Sequence, residues 1–247
     1  MGLFSIFTKS RKQHQADLSL VGVDVHSHFI PGIDDGSENM SMSLEMIKAM
    51  SELGYRKVIT TPHIMGDFFK NTPEIILSGL EQVRNELRRE QIPIELDAAA
   101  EYYLDFDFPF KLGEGNLLTF GGNYLLFELS YLNPPDSLNQ MIFEIQTRGF
   151  KPVLAHPERY PYFFHNPEIY REIREKGALL QLNINSLSGY YSPDTRRVAM
   201  WLIDQQLIDF LGSDCHHPGH INLIRRSSRE THLSKLIDSG RLLNPNL

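Results

Sequence analysis

In this 247-residue chain, histidines and acids recur directly after apolar, β-branched-rich runs. His26 and His28 follow the run 21–25, His63 follows 57–61 and Glu101 follows 94–100. His156 follows 152–155, and Asp214 and His216 follow 208–212. Asp35 sits in the turn Asp34-Asp35-Gly36. Five of the ten histidines stand at such places, more than scatter would put there. Imidazoles and carboxylates without a cluster of thiolates suit Mn, Fe or Zn and argue against an iron–sulfur or blue-copper site. Eight candidate ligands exceed what one tetrahedral ion needs. A centre of two or three divalent ions bridged by Glu101 is more economical. Its natural chemistry is hydrolysis of a phosphate ester, since paired ions acidify a shared water and stabilise the entering and leaving oxygens of an in-line displacement.

Something must bring these residues together from across the chain. Strands are expected at 21–25, 57–61, 94–100, 124–129, 152–155, 179–184 and 208–212, several apolar enough to be covered on both faces. Helical spacing fills the gaps. Met42, Met46, Met50 and Leu53 mark a helix over 41–53, and Ile76, Leu80, Val83 and Leu87 one over 73–90 that starts at Thr72-Pro73. Further helices are expected at 137–148, 167–176 and 194–206. Seven such alternations without a linker indicate a parallel sheet or closed barrel, whose strand C-terminal ends converge on one face. The stretch 102–122, with Pro109 and four glycines, is expected to be a long irregular loop over that face.

Composition narrows the function. A net charge of −7 argues against general nucleic-acid binding, and no apolar run of 18 residues offers a membrane span. The single cysteine, Cys215, excludes an internal disulfide and a structural zinc finger, and points to a reducing, cytoplasmic setting. Residues 1–17 are expected to form a flexible N-terminal arm and 18–247 a single domain. The arm fits neither a secretory signal nor a myristoylation site, because basic residues follow its apolar stretch and Ile6 stands where Ser or Thr is needed. Taken singly, each motif has an ordinary alternative. An H-x-H pair arises by chance, His63 and His156 alone could be core histidines, Glu101 a salt-bridge partner, and Asp34-Asp35-Gly36 an Asx-turn. His14 and His232 match no strand end and are expected in solvent. The ordinary readings fail together, because they do not explain eight such residues at matching positions.

The segments Asp24-Val-His-Ser-His28, Asp34-Asp-Gly36, Thr61-Pro-His63, Ala100-Glu-Tyr-Tyr103, Ala155-His-Pro-Glu-Arg-Tyr160 and Gly212-Ser-Asp-Cys-His216 resemble the PHP (polymerase and histidinol phosphatase) superfamily. More narrowly they resemble its bacterial tyrosine-protein phosphatases, which partner the tyrosine kinases of capsule and exopolysaccharide synthesis. The likeness runs from about Val21 to about Gly219. It implies a distorted (β/α)7 TIM-like barrel of the PHP type holding up to three ions, with Mn the first choice. His26, His28, Glu101 and Asp214 would hold the first ion. Glu101, His63 and His156 would hold the second, and Asp35 and His216 the third. Arg159 would bind phosphate, and a metal-bridging hydroxide would attack in line while His216 or a metal assists the leaving oxygen. A second arginine expected after the Ser-Asp-x-His motif is missing, so a substitute is sought among His217, His220, Arg225 and Arg226. The partner implied is a phosphotyrosine-bearing kinase segment, which would recruit the protein to the inner membrane face.

Other chemistries fit poorly. A thiol phosphatase needs Arg six residues after its Cys, where Ile221 stands. Asp105-Phe-Asp107 lacks the Thr of an aspartyl-phosphate enzyme, and no Walker loop is present. Lys57 and Lys151 begin strands, whereas an amidohydrolase's modified Lys ends one. A small-molecule phosphatase such as histidinol-phosphatase stays as one alternative, and a non-catalytic metal-binding interaction protein as another. Tyr102, Tyr103, Tyr160, Tyr162, Phe163 and Phe164 are candidates for an aromatic wall around a substrate ring.

Overall fold

The computed structural model describes residues 15–247, so His14 and the first fourteen residues of the expected arm lie outside it. Ala16 is buried and its amide donates to the Ser228 carbonyl at 2.7 Å. The chain then runs through β1 (Val23–Asp24), α1 (Met40–Glu52), β2 (Lys57–Thr60), β3 (His63–Ile64), α2 (Pro73–Arg89), β4 (Glu95–Ala98) and β5 (Glu101–Tyr103). Next come α3 (Phe108–Glu114), β6 (Tyr124–Glu128), α4 (Leu138–Thr147), β7 (Lys151–Ala155), α5 (Glu168–Glu175) and β8 (Leu179–Asn183). The order closes with α6 (Pro193–Asp204), β9 (Phe210–Gly212), α7 (Pro218–Ser227) and α8 (Thr231–Asp238).

This is a mixed α/β fold in which every strand pairing is parallel. One sheet has the order β1-β2-β4 and the other β3-β5-β6-β7-β8-β9. Among the described residues nine short strands stand where the sequence suggests seven, because two runs are interrupted. Lys57 pairs with Glu95 before the break and His63 with Glu101 after it, so the register is unbroken. At the break the Thr61 amide turns to the Ser27 carbonyl at 2.6 Å, and Pro62 has no amide to give. A parallel bridge joins Ser27 to Cys215, which brings the segment after β1 beside the segment after β9.

Two apolar clusters cover the sheet. The outer one packs it against the helices, with Met46, Ile47 and Met50 from α1 and Ile76, Leu80, Val83 and Leu87 from α2. The inner one gathers Val23, Val25, Ile59, Ala99, Leu126, Val153, Ala155 and Phe210 on the concave side. Successive strand side chains alternate faces. The inner parity therefore continues from Ile59 to His63, from Ala99 to Glu101 and from Leu126 to Glu128. The candidate site sits on top of that inner cluster.

The stretch 102–122 is not one irregular loop. It contains β5's last residues and α3, whose Phe108 and Leu112 are buried. Helices α7 and α8 were also unforeseen. Their apolar positions, Ile221 and Ile224, then Leu233, Leu236 and Ile237, recur at helical spacing, and Pro218 occupies the first turn of α7.

Candidate metal centre

Asp34, Asp35 and Gly36 form the turn between β1 and α1. The Gly36 amide donates to Asp34 Oδ1 at 3.0 Å, an Asx-turn. The turn does more than cap, because Asp34 Oδ2 accepts from His28 Nδ1 at 2.8 Å and from the His63 amide at 3.2 Å. Gly36 is needed here, since a Cβ would collide with the Cβ and carbonyl oxygen of His28. Gly36→Ala should displace Asp34 and Asp35 and weaken uptake of the least tightly held metal by roughly 10-fold or more. Calorimetric titration with Mn checks this.

His26, His28, Glu101, His156 and Asp214 are almost fully buried. His26 Nε2 lies 3.1 Å from Glu101 Oε2 and 3.4 Å from Asp214 Oδ1. His28 Nε2 lies 3.6 Å and 3.5 Å from the same two atoms. His156 Nε2 meets Glu101 Oε1 at 3.0 Å. Farther out, Asp35 Oδ1 faces His63 Nε2 at 3.5 Å and His216 Nε2 at 3.4 Å. All eight residues expected from the sequence thus meet in one place.

A ninth was missed. Glu128, at the end of β6, is 3.1 Å from His63 Nδ1 and 3.7 Å from His156 Nε2. The signal was an acid inside the apolar run Tyr124–Leu129. Three further supports escaped notice. Gln181 Oε1 accepts from His26 Nδ1 at 2.8 Å, Asn183 Nδ2 donates to Asp214 Oδ2 at 2.8 Å, and the Tyr131 hydroxyl meets His156 Nδ1 at 3.3 Å. With Nδ1 engaged outward, His26 and His28 direct Nε2 into the cluster, as oriented metal ligands do. Backbone strain helps as well. His156 and Asp214 have φ of 33° and 48°, two of four non-glycine residues at positive φ among the described residues. That left-handed conformation re-aims both side chains at the end of their strands and is a cost tolerated at functional sites.

The donors fit divalent cations. Four groups of three or four ligand atoms lie within 4.8 Å of one another: His28, Asp35, His63, His216; His26, His28, Asp214; His26, Glu101, His156; and His63, Glu101, Glu128. Glu101 Oε2 and His63 Nδ1 face each other at 3.1 Å, yet both are buried without a hydrogen bond. Buried polar atoms are rarely left so, and a shared cation would satisfy both.

Charge in the cluster is strongly coupled. Burial opposes the negative charge of Glu101, but His26 and His63 beside it hold its carboxyl well below the usual range. Burial likewise opposes a proton on His26, yet Glu101 and Asp214 raise it from 6.5 to about 9. His63 and His216 are also raised against burial, by Glu101 and Glu128 and by Asp214 and Asp35 respectively. Metal-free, the His26 ring carries a proton at pH 7, and a metal binds only the neutral ring. Mn uptake in weak buffer at pH 7 should therefore release about one proton or more per chain, with affinity falling as pH falls. In the metal-free protein the raised His26 favours the folded state fully below pH 6.5, and that contribution is lost as pH rises through 9.

Above the cluster lies a cavity of about 210 Å³ lined by Asp35, His63, Met65, Phe69, Glu128, Tyr131, His156, Arg159, Asp214 and His216. A larger groove of about 890 Å³ runs between α1 and the end of α2, but it holds no converging ligand set. Arg159 donates to Asp214 Oδ2 at 2.6 Å and is held between Tyr191, 4.1 Å from its guanidinium carbon, and Tyr131 at 5.0 Å. Glu158, its neighbour, is no partner. It is buried and accepts from Ser186 Oγ and the Asn183 amide.

The proposed phosphate-binding substitutes do not reach this cavity. Arg225 points to Glu52 at 4.0 Å, Arg226 is exposed on α7, and neither His217 nor His220 lines the cavity. The suggested aromatic wall is also corrected. Tyr102, Tyr160 and Phe163 are core residues, with the Tyr102 and Tyr160 hydroxyls accepting from the Leu118 and Leu129 amides. Phe69, Tyr131 and Tyr191 surround the site instead. His232 is half-buried, 3.6 Å from Asp204. Cys215 is buried, which pushes its thiol far above the usual range and makes it inert as a nucleophile.

Residues 22–228 match the family described as Capsular polysaccharide synthesis, CpsB/CapC. The chain is 31% identical over 196 residues to tyrosine-protein phosphatase YwqE of Bacillus subtilis, covering 79% of this chain and 77% of the relative. It is 25% identical over 201 residues to tyrosine-protein phosphatase CpsB of Streptococcus pneumoniae, covering 79% and 83% respectively. A solved structure from work on YwqE and CpsB, described as unique metal-dependent tyrosine phosphatases, superposes with a TM-score of 0.80 at 28% identity. It covers 91% of this chain and 94% of that one.

Proposed function

The chain belongs to the CpsB/CapC family of capsular polysaccharide synthesis, and from that membership we propose that it is a metal-dependent tyrosine-protein phosphatase. The observation that carries this reading is the meeting of nine imidazole and carboxylate side chains beneath a cavity with one guanidinium in its wall. We assign His26, His28, Glu101 and Asp214 to a first ion, and Glu101, His63, His156 and Glu128 to a second. Asp35 and His216 would hold a third, with His63 Nε2 facing Asp35 beside them. Two or three ions, Mn foremost, suit this hard and borderline donor set. Nine strands correspond to seven positions of a distorted barrel, carried by a single domain from residue 18 onward.

Divalent ions held by this cluster would acidify a water and neutralise charge on the phosphoryl oxygens. The protein does the rest. Arg159 offers a planar fork to the phosphoryl oxygens, and Tyr191 and Tyr131 hold that fork in place. Phe69, Met65 and Tyr131 flank the substrate ring and exclude water. The departing tyrosyl oxygen has a conjugate-acid pKa near ~10, so it leaves without a dedicated acid. His216 Nε2, facing Asp35, therefore serves the ligand cluster rather than proton delivery.

The substrate we infer is a phosphotyrosine-bearing segment of a tyrosine kinase of capsule or exopolysaccharide synthesis, met at the cytoplasmic membrane face. No helix among the described residues is long and apolar enough to cross a membrane. A turnover panel of phosphotyrosine peptide, histidinol phosphate and phosphoserine peptide tests the reading in Mn-loaded protein. The phosphotyrosine peptide should exceed both others by about 10-fold or more in kcat/KM. Faster histidinol phosphate hydrolysis would replace the reading with a small-molecule phosphatase, and no turnover at all would leave a binding protein.

A further inference from the structure

The cavity over the cluster has room for a phosphorylated ring, so the residues on either side of a phosphotyrosine must lie on its rim. Exposed apolar side chains stand on segments that line the cavity or are tied to those that do: Phe68 is 77% accessible, Phe106 67% and Leu132 85%. Large apolar side chains left exposed beside a ligand cavity mark an interaction surface.

These side chains are displayed on fixed turns. Met65 and Phe69, both lining the cavity, exchange backbone hydrogen bonds at 2.9 and 3.0 Å and close a tight tip that carries Phe68. The Gly66 amide in that tip donates to Asp105 Oδ2 at 2.8 Å. Asp105 Oδ1 in turn accepts from the Asp107 and Phe108 amides, which fixes the turn bearing Phe106. Leu132 follows the cavity residue Tyr131, and its amide donates to Ser130 Oγ at 3.1 Å. The Ser130 carbonyl is itself held by the Tyr162 hydroxyl at 2.7 Å. Acids outnumber bases here: Asp67, Asp105 and Asp107 stand against Lys70 and Lys111, and Lys111 pairs with Asp107 at 3.6 Å.

We propose that Phe68, Phe106 and Leu132 form a docking rim for the flanks of the substrate segment, selecting phosphotyrosines set between bulky apolar residues over those set between acids. The proposal rests on the phosphatase reading above. Three phosphotyrosine peptides, flanked by Leu and Phe, by Gly and Ser, or by Glu, are compared in the Mn-loaded protein with p-nitrophenyl phosphate as a ligand that fills only the cavity. The apolar-flanked peptide should be favoured roughly 10-fold in kcat/KM over the Gly and Ser peptide, with the Glu peptide lowest. A Phe68→Ala, Phe106→Ala, Leu132→Ala triple variant should remove that advantage through KM and leave p-nitrophenyl phosphate turnover unchanged. Calorimetric binding of the apolar-flanked phosphonate analogue should weaken by the same factor. Equal kcat/KM for the three peptides, or a triple variant that keeps the preference, overturns the rim while normal p-nitrophenyl phosphate hydrolysis leaves the phosphatase reading standing. Absence of all turnover, p-nitrophenyl phosphate included, overturns that reading and the rim with it.

Discussion

Glu101→Gln is expected to lose metal and turnover together, with kcat/KM for a phosphotyrosine peptide down on the order of 10³-fold or more. No other carboxylate among the described residues faces four of the site's histidines. One carboxylate oxygen faces His26, His28 and His63 at 3.1, 3.6 and 3.1 Å, and the other faces His156 at 3.0 Å. Glutamine preserves size but replaces one anionic oxygen with an amide that only donates, aimed at rings that must present lone pairs to metal. Loss of a partner outside the ligand set costs 10–100-fold elsewhere, so loss of a shared ligand should exceed it. The same variant also removes the charge that raises His26 and His63 in the metal-free protein. Proton release on Mn addition should therefore fall as well. Metal content by elemental analysis, read beside a thermal melt, separates a lost site from a lost fold. Full metal occupancy with kcat/KM within tenfold of the parent protein would refute the assignment of Glu101.

The strand ends were legible because covered strands are written in apolar letters, and a histidine or acid directly after such a run stands out. The same logic, taken inside the runs, would have found more. Asp24, Glu128, Gln181 and Asn183 are polar letters within otherwise apolar strands, and all are buried. Each has a partner in the site or next to it: Ser213, His63, His26 and Asp214 respectively. A buried polar group is costly unless bonded, so each such letter predicts a partner even when the partner's identity is hidden. Tyr131 and Tyr191 could not be found this way. They lie in loops, and their role depends on where Arg159 comes to rest, which no local pattern encodes.

The positive φ at His156 and Asp214 was equally hidden, since neither residue is glycine. It matters for counting faces. Val153 and Ala155 belong to the inner face of β7, so regular alternation would send His156 outward. The left-handed turn brings it back beside Glu101. Helices α3, α7 and α8 were overlooked for a simpler reason: each is short, with only two or three buried apolar positions, and so few at helical spacing do not separate from loop sequence by pattern alone.

Arg159 carries the second large effect, and its size follows from having no helper. The family resemblance leads one to expect a second arginine beyond the Ser213-Asp214-Cys215-His216 motif, but α7 presents none to the cavity. Arg225 turns to Glu52 on α1. The two histidines are no substitute for its charge either. Burial and the nearby His217 lower His220 to about 4, and burial together with His216 lowers His217, so both are neutral at pH 7. Arg159 is thus the one guanidinium in the cavity wall among the described residues. Arg159→Ala should lower kcat for a phosphotyrosine peptide by about 10²–10³-fold, the range seen when a single preorganised donor to a developing charge is removed. Arg159→Lys should recover little of it, because a point charge on a flexible stem neither forks to two oxygens nor stacks between Tyr131 and Tyr191. Metal content should stay near that of the parent protein in both variants, since Arg159 contacts Asp214 through Oδ2 while His26 and His28 face Oδ1. A lysine variant with kcat within threefold of the parent would mean that charge alone suffices. The tyrosine clamp would then have no part in holding the phosphoryl group.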